Sequence, residues 1–112
     1  MICVTIFVDS GQYIGIKMSG HAGNAVDRVE GQELVCSAVS ALTINMANSI
    51  EQFTEDSFEA DMDDETGYFR FRFSSSDVSF GSQLLMNSLV FGLQDIEETY
   101  GEPYIKIRFE EV

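Results

Sequence analysis

The sequence predicts an α/β domain of the α+β kind. It is a two-layer sandwich in the order ββαββαβ, with two helices packed on one face of a mostly antiparallel sheet. Three observations predict it. Two long stretches, residues 33–53 and 78–100, repeat apolar side chains at steps of three and four. Five short stretches instead alternate, as half-buried strands do. The 112 residues, 45% of them hydrophobic, suffice for one core and leave little room for a second. A single domain over 1–112 is therefore expected.

Each element follows from its local pattern. Residues 2–8 place Ile2, Val4, Ile6 and Val8 on one face and Cys3, Thr5 and Phe7 on the other. Asp9-Ser10-Gly11-Gln12 makes a turn, and residues 13–18 return as the second strand of a hairpin. Residues 19–31, with Gly20, Gly23 and Gly31, read as a polar loop. The helix over 33–53 carries Val35, Val39, Leu42, Met46, Ile50 and Phe53 on its apolar stripe, and Glu33 suits the positive end of its dipole. Residues 58–62 and 68–73 form a second hairpin around Asp63-Asp64-Glu65-Thr66-Gly67, with Phe69, Phe71 and Phe73 on one face and Arg70 and Arg72 on the other. After a polar connection at 74–77, the second helix buries Leu85, Leu89, Leu93 and Ile96. Its Gly92 costs about 1 kcal/mol relative to alanine. Gly101-Glu102-Pro103 ends that helix. Residues 104–109 form the last strand, with Ile105, Ile107 and Phe109 inward.

Charge and cysteine usage exclude several function classes. Nineteen acidic residues against six basic ones leave a net charge of −13. Direct nucleic-acid binding needs clustered Lys and Arg and is not expected. Basic partners are favoured by electrostatic steering, although the same charge also serves solubility. The apolar runs are too short to span a bilayer, and the first residues read as a strand rather than a signal peptide. Two separated cysteines make no disulfide framework, so a reducing cytoplasm with free thiols is the expected compartment. The acidic run 61–65 fails the calcium-loop pattern, because Thr66 and Arg72 stand where glycine and glutamate are needed. One histidine and two distant cysteines do not make a zinc site, and no phosphate-cradling glycine motif is present. Neither a metal nor a cofactor is expected.

What remains is one histidine and one cysteine in suggestive settings. His21 lies among small residues, Gly20, Ala22 and Gly23, which leave an imidazole accessible and let substrate backbone approach. Exposed loop histidines without a role are nonetheless common. Cys36 opens the apolar run Val35-Cys36-Ser37-Ala38-Val39, and a cysteine there is more often a small core hydrophobe than a nucleophile. The helix phase adds that Cys36, Ser40 and Thr43 share a face beside the apolar stripe. That edge suits a partly exposed thiol, and a helix N-terminus favours its thiolate. Cys3 reads as an interior or edge filler of the first strand.

Together, Gly20-His21-Ala22-Gly23 and the run from Val35-Cys36-Ser37-Ala38-Val39-Ser40 to Ala41-Leu42-Thr43 resemble the ribosomal-processing cysteine protease family of bacteria. The resemblance extends over strand order, both helices and length. It implies a small cytoplasmic endopeptidase acting as a homodimer. Its substrate would be a basic ribosomal protein, the large-subunit protein numbered twenty-seven, from which it removes a short N-terminal extension. It also implies a catalytic dyad of His21 and Cys36, with Ser40 in support. The family often carries aspartate three residues before the cysteine, where this chain has Glu33. The loop between His21 and Cys36 is longer than usual within 26–32, and Ser37 replaces a common alanine.

In the implied mechanism His21 takes the thiol proton and the Cys36 sulfur attacks the scissile carbonyl. The backbone N–H groups of Cys36 and Ser37 are the candidates for holding the oxyanion. His21 then protonates the leaving amine, and water releases the acyl-enzyme. Glu33 and Asp27 are the carboxylates available to orient the imidazole. Two other readings compete: a non-catalytic acidic module binding basic ribosomal proteins, and a thiol redox sensor using Cys36.

Overall fold

The computed structural model describes residues 1–20, 31–63 and 65–112. Its elements are β1 (Ile2–Asp9), β2 (Gln12–Ser19), α1 (Gln32–Phe53), β3 (Phe58–Asp63), β4 (Tyr68–Phe73), α2 (Phe80–Tyr100) and β5 (Ile105–Glu111). The order ββαββαβ is as expected. The five strands form one sheet in the order β3-β4-β2-β1-β5. Three neighbouring pairs are antiparallel, and β1 and β5 are parallel. The parallel pair exists because α2 carries the chain back across the sheet between β4 and β5. In the first hairpin Ser10 and Gly11 both have positive φ, the geometry whose twist matches that of the flanking strands.

Alternation in β1 buries Ile2, Val4 and Ile6 under the helices. It leaves Cys3 exposed on the open face of the sheet, which corrects the expectation of an interior or edge filler. A side chain at an odd position of β1 points away from the helix-covered face. At the centre, the Phe71 ring lies 4.7 Å from Phe58 and 5.1 Å from Phe73, the latter edge-on. Val39, Met46 and Ile50 of α1 and Met86, Leu89 and Leu93 of α2 close the core from above.

Both helices depart from the expected stripes in detail. In α1 the stripe runs through Val35, Val39, Thr43, Met46 and Ile50, with Thr43 only 1% exposed. Leu42 is 38% exposed because it sits at the margin of that stripe, against Gly92 of α2. Phe53 is 77% exposed, since the stripe ends at Ile50 one turn earlier. In α2, Met86 and Val90 join Leu89 and Leu93 in the core, while Leu85 and Ile96 only pack against its edge. Val78 is buried but precedes the helix, which starts at Phe80. Phe109 of β5 shares the inward face with its register partner Ile6, but it is half exposed there and meets Tyr13 of β2.

The start of α2 is tied down by one carboxylate. Ser79 caps the helix by accepting the Ser82 N–H. Asp56, on the connection after α1, accepts the Ser79 N–H and the hydroxyls of Ser79 and Ser82. These donors, the Ser79 hydroxyl foremost, hold the Asp56 carboxyl below the usual carboxylate range.

A Cβ on Gly92 would approach the Leu42 Cδ1 at 3.2 Å, and that atom ends a flexible, partly exposed side chain. Gly92→Ala is therefore expected to stabilise the fold by about 0.5–1 kcal/mol, read from urea unfolding. Destabilisation instead would mean that Leu42 cannot yield.

Candidate active site

The first turn of α1 sets the site. Gly31 occupies the N-cap with φ 89°, a conformation suited to glycine, and its carbonyl accepts the N–H groups of Leu34 and Val35. The helix thus begins at Gln32, and Cys36 lies in the second turn, half-buried beside the core. This position bears on the expected oxyanion donors. The N–H groups of Cys36 and Ser37 sit inside the helical ladder, facing the carbonyls of Gln32 and Glu33. They are not the free donors of a helix end, so they do not offer an oxyanion site without a change in the helix.

The helix phase behaves as the spacing implies. Cys36, Ser40 and Thr43 line one cavity of about 180 Å³. Ser40 is exposed, one turn below the sulfur. Thr43 is buried, and its hydroxyl donates to the Val39 carbonyl at 2.7 Å. That hydroxyl is therefore committed to the helix. Glu33 is exposed on the first turn, three residues before the cysteine.

Sequence reasoning missed the far wall of this cavity. It comes from the β3–β4 hairpin, through Met62, Asp63, Gly67, Tyr68 and Phe69. Register explains the wall: Met62 pairs with Phe69, and Phe69 with Met18, so three apolar side chains form one row under the mouth. The alternation of β3 and β4 held the signal for the inward face. Only the strand order, a long-range property, brings that row to Cys36.

Gly20 borders the cavity where β2 ends. Its φ is 84°, and a Cβ there would stand 2.3 Å from the Met1 carbonyl oxygen. Glycine at this position is a backbone requirement in its own right. His21, Ala22, Gly23 and Asp27 lie outside the described residues.

Behind the sulfur lies Gln32, which the sequence did not single out. It is 2% exposed. Its Nε2 donates to the Tyr104 carbonyl at 3.2 Å and stands 3.9 Å from the Cys36 Sγ. Its Oε1 is buried with no hydrogen-bond partner among the described residues. An unpaired acceptor of this kind costs about 1–3 kcal/mol. Among the described residues no three His, Cys, Asp or Glu side chains gather as a metal site would need.

Comparison with known proteins adds an independent line. The family profile described as cysteine protease Prp matches residues 1–106. Ribosomal processing cysteine protease Prp of Staphylococcus aureus is 33% identical over 103 residues, covering 91% of this chain and 93% of that one. Its Bacillus subtilis counterpart is 30% identical over 90 residues, 78% of each chain. A crystal structure of the S. aureus protease with a substrate peptide superposes with a TM-score of 0.88 at 29% identity, covering 98% of this chain and 100% of that one. A second, with a covalently linked product peptide, gives 0.84 at 31% identity and the same coverage.

Proposed function

This chain belongs to the cysteine protease Prp family and is a cysteine peptidase. From that premise we propose that it removes the N-terminal extension of the large-subunit ribosomal protein numbered twenty-seven, with Cys36 as nucleophile and His21 as its base. The observation that carries the reading is the half-buried Cys36 thiol at the mouth of an apolar-walled cavity. An extended peptide can lay an apolar side chain between Met62, Phe69 and Met18 while its carbonyl approaches the sulfur. The covalently linked product peptide of the S. aureus relative supports covalent chemistry over a binding-only module or a redox sensor.

In the reaction His21 takes the Cys36 proton, the thiolate attacks the scissile carbonyl and a tetrahedral oxyanion forms. Collapse breaks the C–N bond as His21 returns the proton to the leaving amine. Water then hydrolyses the thioester and regenerates the thiol. Ser40, exposed one turn from the sulfur, is the supporting hydroxyl. Glu33 takes the place of the carboxylate before the cysteine, and Gly20, Ala22 and Gly23 give the substrate backbone room. The net charge of −13 speeds encounter with a basic ribosomal protein and opposes direct binding to nucleic acid. The place of action is the cytoplasm, where ribosomal proteins are made and thiols stay reduced. Among the described residues no helix is long and apolar enough to cross a membrane.

The enzyme works as a homodimer in this reading. Phe80, Leu84 and Phe91 stand exposed along one side of α2 at helical spacing, an apolar stripe open to a second copy. Phe91→Glu is expected to lower the sedimentation coefficient from that of a dimer to that of a monomer. An unchanged coefficient would place the interface elsewhere.

The direct test is digestion of a synthetic peptide spanning the extension of the host's own ribosomal protein, read by mass spectrometry. A single internal cut is expected. A peptide that binds and stays intact would exclude it as substrate.

A further inference from the structure

The geometry points to Gln32 as a positioning residue for the Cys36 sulfur, holding it as an N–H donor from behind. The inference rests on the reading of Cys36 as nucleophile. Three observations carry it.

First, the amide is oriented. The Tyr104 carbonyl can only accept, so the atom facing it at 3.2 Å must be Nε2. The same nitrogen has a second N–H and stands 3.9 Å from Sγ. A contact of that length to a neutral thiol is weak. It shortens and strengthens when the sulfur carries charge, because hydrogen bonds to ionised acceptors are the strong ones.

Second, the fold does not need this amide. The Tyr104 carbonyl already accepts the Ile2 N–H at 2.8 Å. Gln32 Oε1 is buried and unpaired among the described residues, which is a cost that an apolar side chain of the same length would not carry. A buried polar group carried at this cost beside a reactive sulfur calls for a functional explanation.

Third, Gln32 is 2% exposed and lies outside the described lining of the cavity. It acts through the sulfur and does not touch substrate. Its expected effect is therefore on thiolate reactivity and kcat, with KM unmoved.

The test uses the full chain in a Cys3→Ser background, so that Cys36 is the one thiol. Gln32→Met and Gln32→Leu remove the donor and keep the bulk. Iodoacetamide alkylation of Cys36 is followed by intact mass across pH, and Tm is read alongside. Both variants are expected to alkylate roughly tenfold more slowly near neutral pH. Their Tm is expected to be equal or higher. Wild-type alkylation rates in both variants would overturn the inference, whatever happens to Tm. Alkylation needs no peptide, so the result stands apart from whether the ribosomal extension is the substrate. With a cleaved peptide in hand, a fall in KM-normalised activity that comes from KM alone would overturn it too.

Discussion

Cys36→Ala is expected to lower peptide cleavage by about 10⁴-fold or more, while Cys3→Ser leaves the rate unchanged. The two thiols differ in position. Cys36 faces the cavity between α1 and the β3–β4 hairpin, whereas Cys3 lies on the open face of the sheet. Removing the nucleophile removes the covalent route altogether, so the loss is in kcat and not in binding. The Cys36→Ala protein should still bind the peptide, and titration calorimetry against the same peptide reads this. Cleavage that survives in Cys36→Ala and vanishes in Cys3→Ser would move the chemistry to the other face.

The second large effect concerns stability. Asp56→Ala is expected to cost about 1–2 kcal/mol, read from urea unfolding near neutral pH, because it removes the acceptor that fixes the Ser79 cap. Asp56→Asn should cost less, since the amide oxygen still accepts. The pH dependence has a definite sign. The folded-state carboxyl titrates below its ordinary range, so the unfolded chain binds the proton more readily. The contribution is fully present above the ordinary aspartate value of about 4 and fades as pH falls through the lower, folded-state value. The wild type and Asp56→Ala should therefore converge in stability on acidification. A difference that stays constant down to low pH would contradict the assigned hydrogen bonds.

Much of the fold was legible because the patterns are local. Alternation placed Ile2, Val4 and Ile6 on the covered face, and three- and four-residue steps found the buried run Val35, Val39, Met46 and Ile50. Errors fell at margins. Phe53 and Leu42 fit the helical period, yet Phe53 lies beyond the end of the buried stripe and Leu42 at its margin against Gly92, and a hydrophobicity pattern carries no information on where a neighbouring element ends. The helix start was legible to within one residue. Glu33 marks the acidic first turn as expected, and Gly31 in a left-handed conformation sets the boundary, which leaves Cys36 in the second turn.

The site divides in the same way. Cys36 and Ser40 on one face followed from spacing within α1. The hairpin wall of Met62, Tyr68 and Phe69 did not, because it depends on β4 pairing with β2 rather than with a sequence neighbour. Gln32 reads in the sequence as a polar residue at a helix start. Its burial follows from Tyr104, which is 72 positions away along the chain.

The most direct test of the central claim is to quench the full-length enzyme during turnover of the ribosomal extension peptide and measure the intact protein mass. The account predicts a transient adduct with the mass of the N-terminal product, mapped by digestion to the α1 segment that contains Cys36. Turnover without any adduct on Cys36, and with cleavage retained in Cys36→Ala, would contradict it.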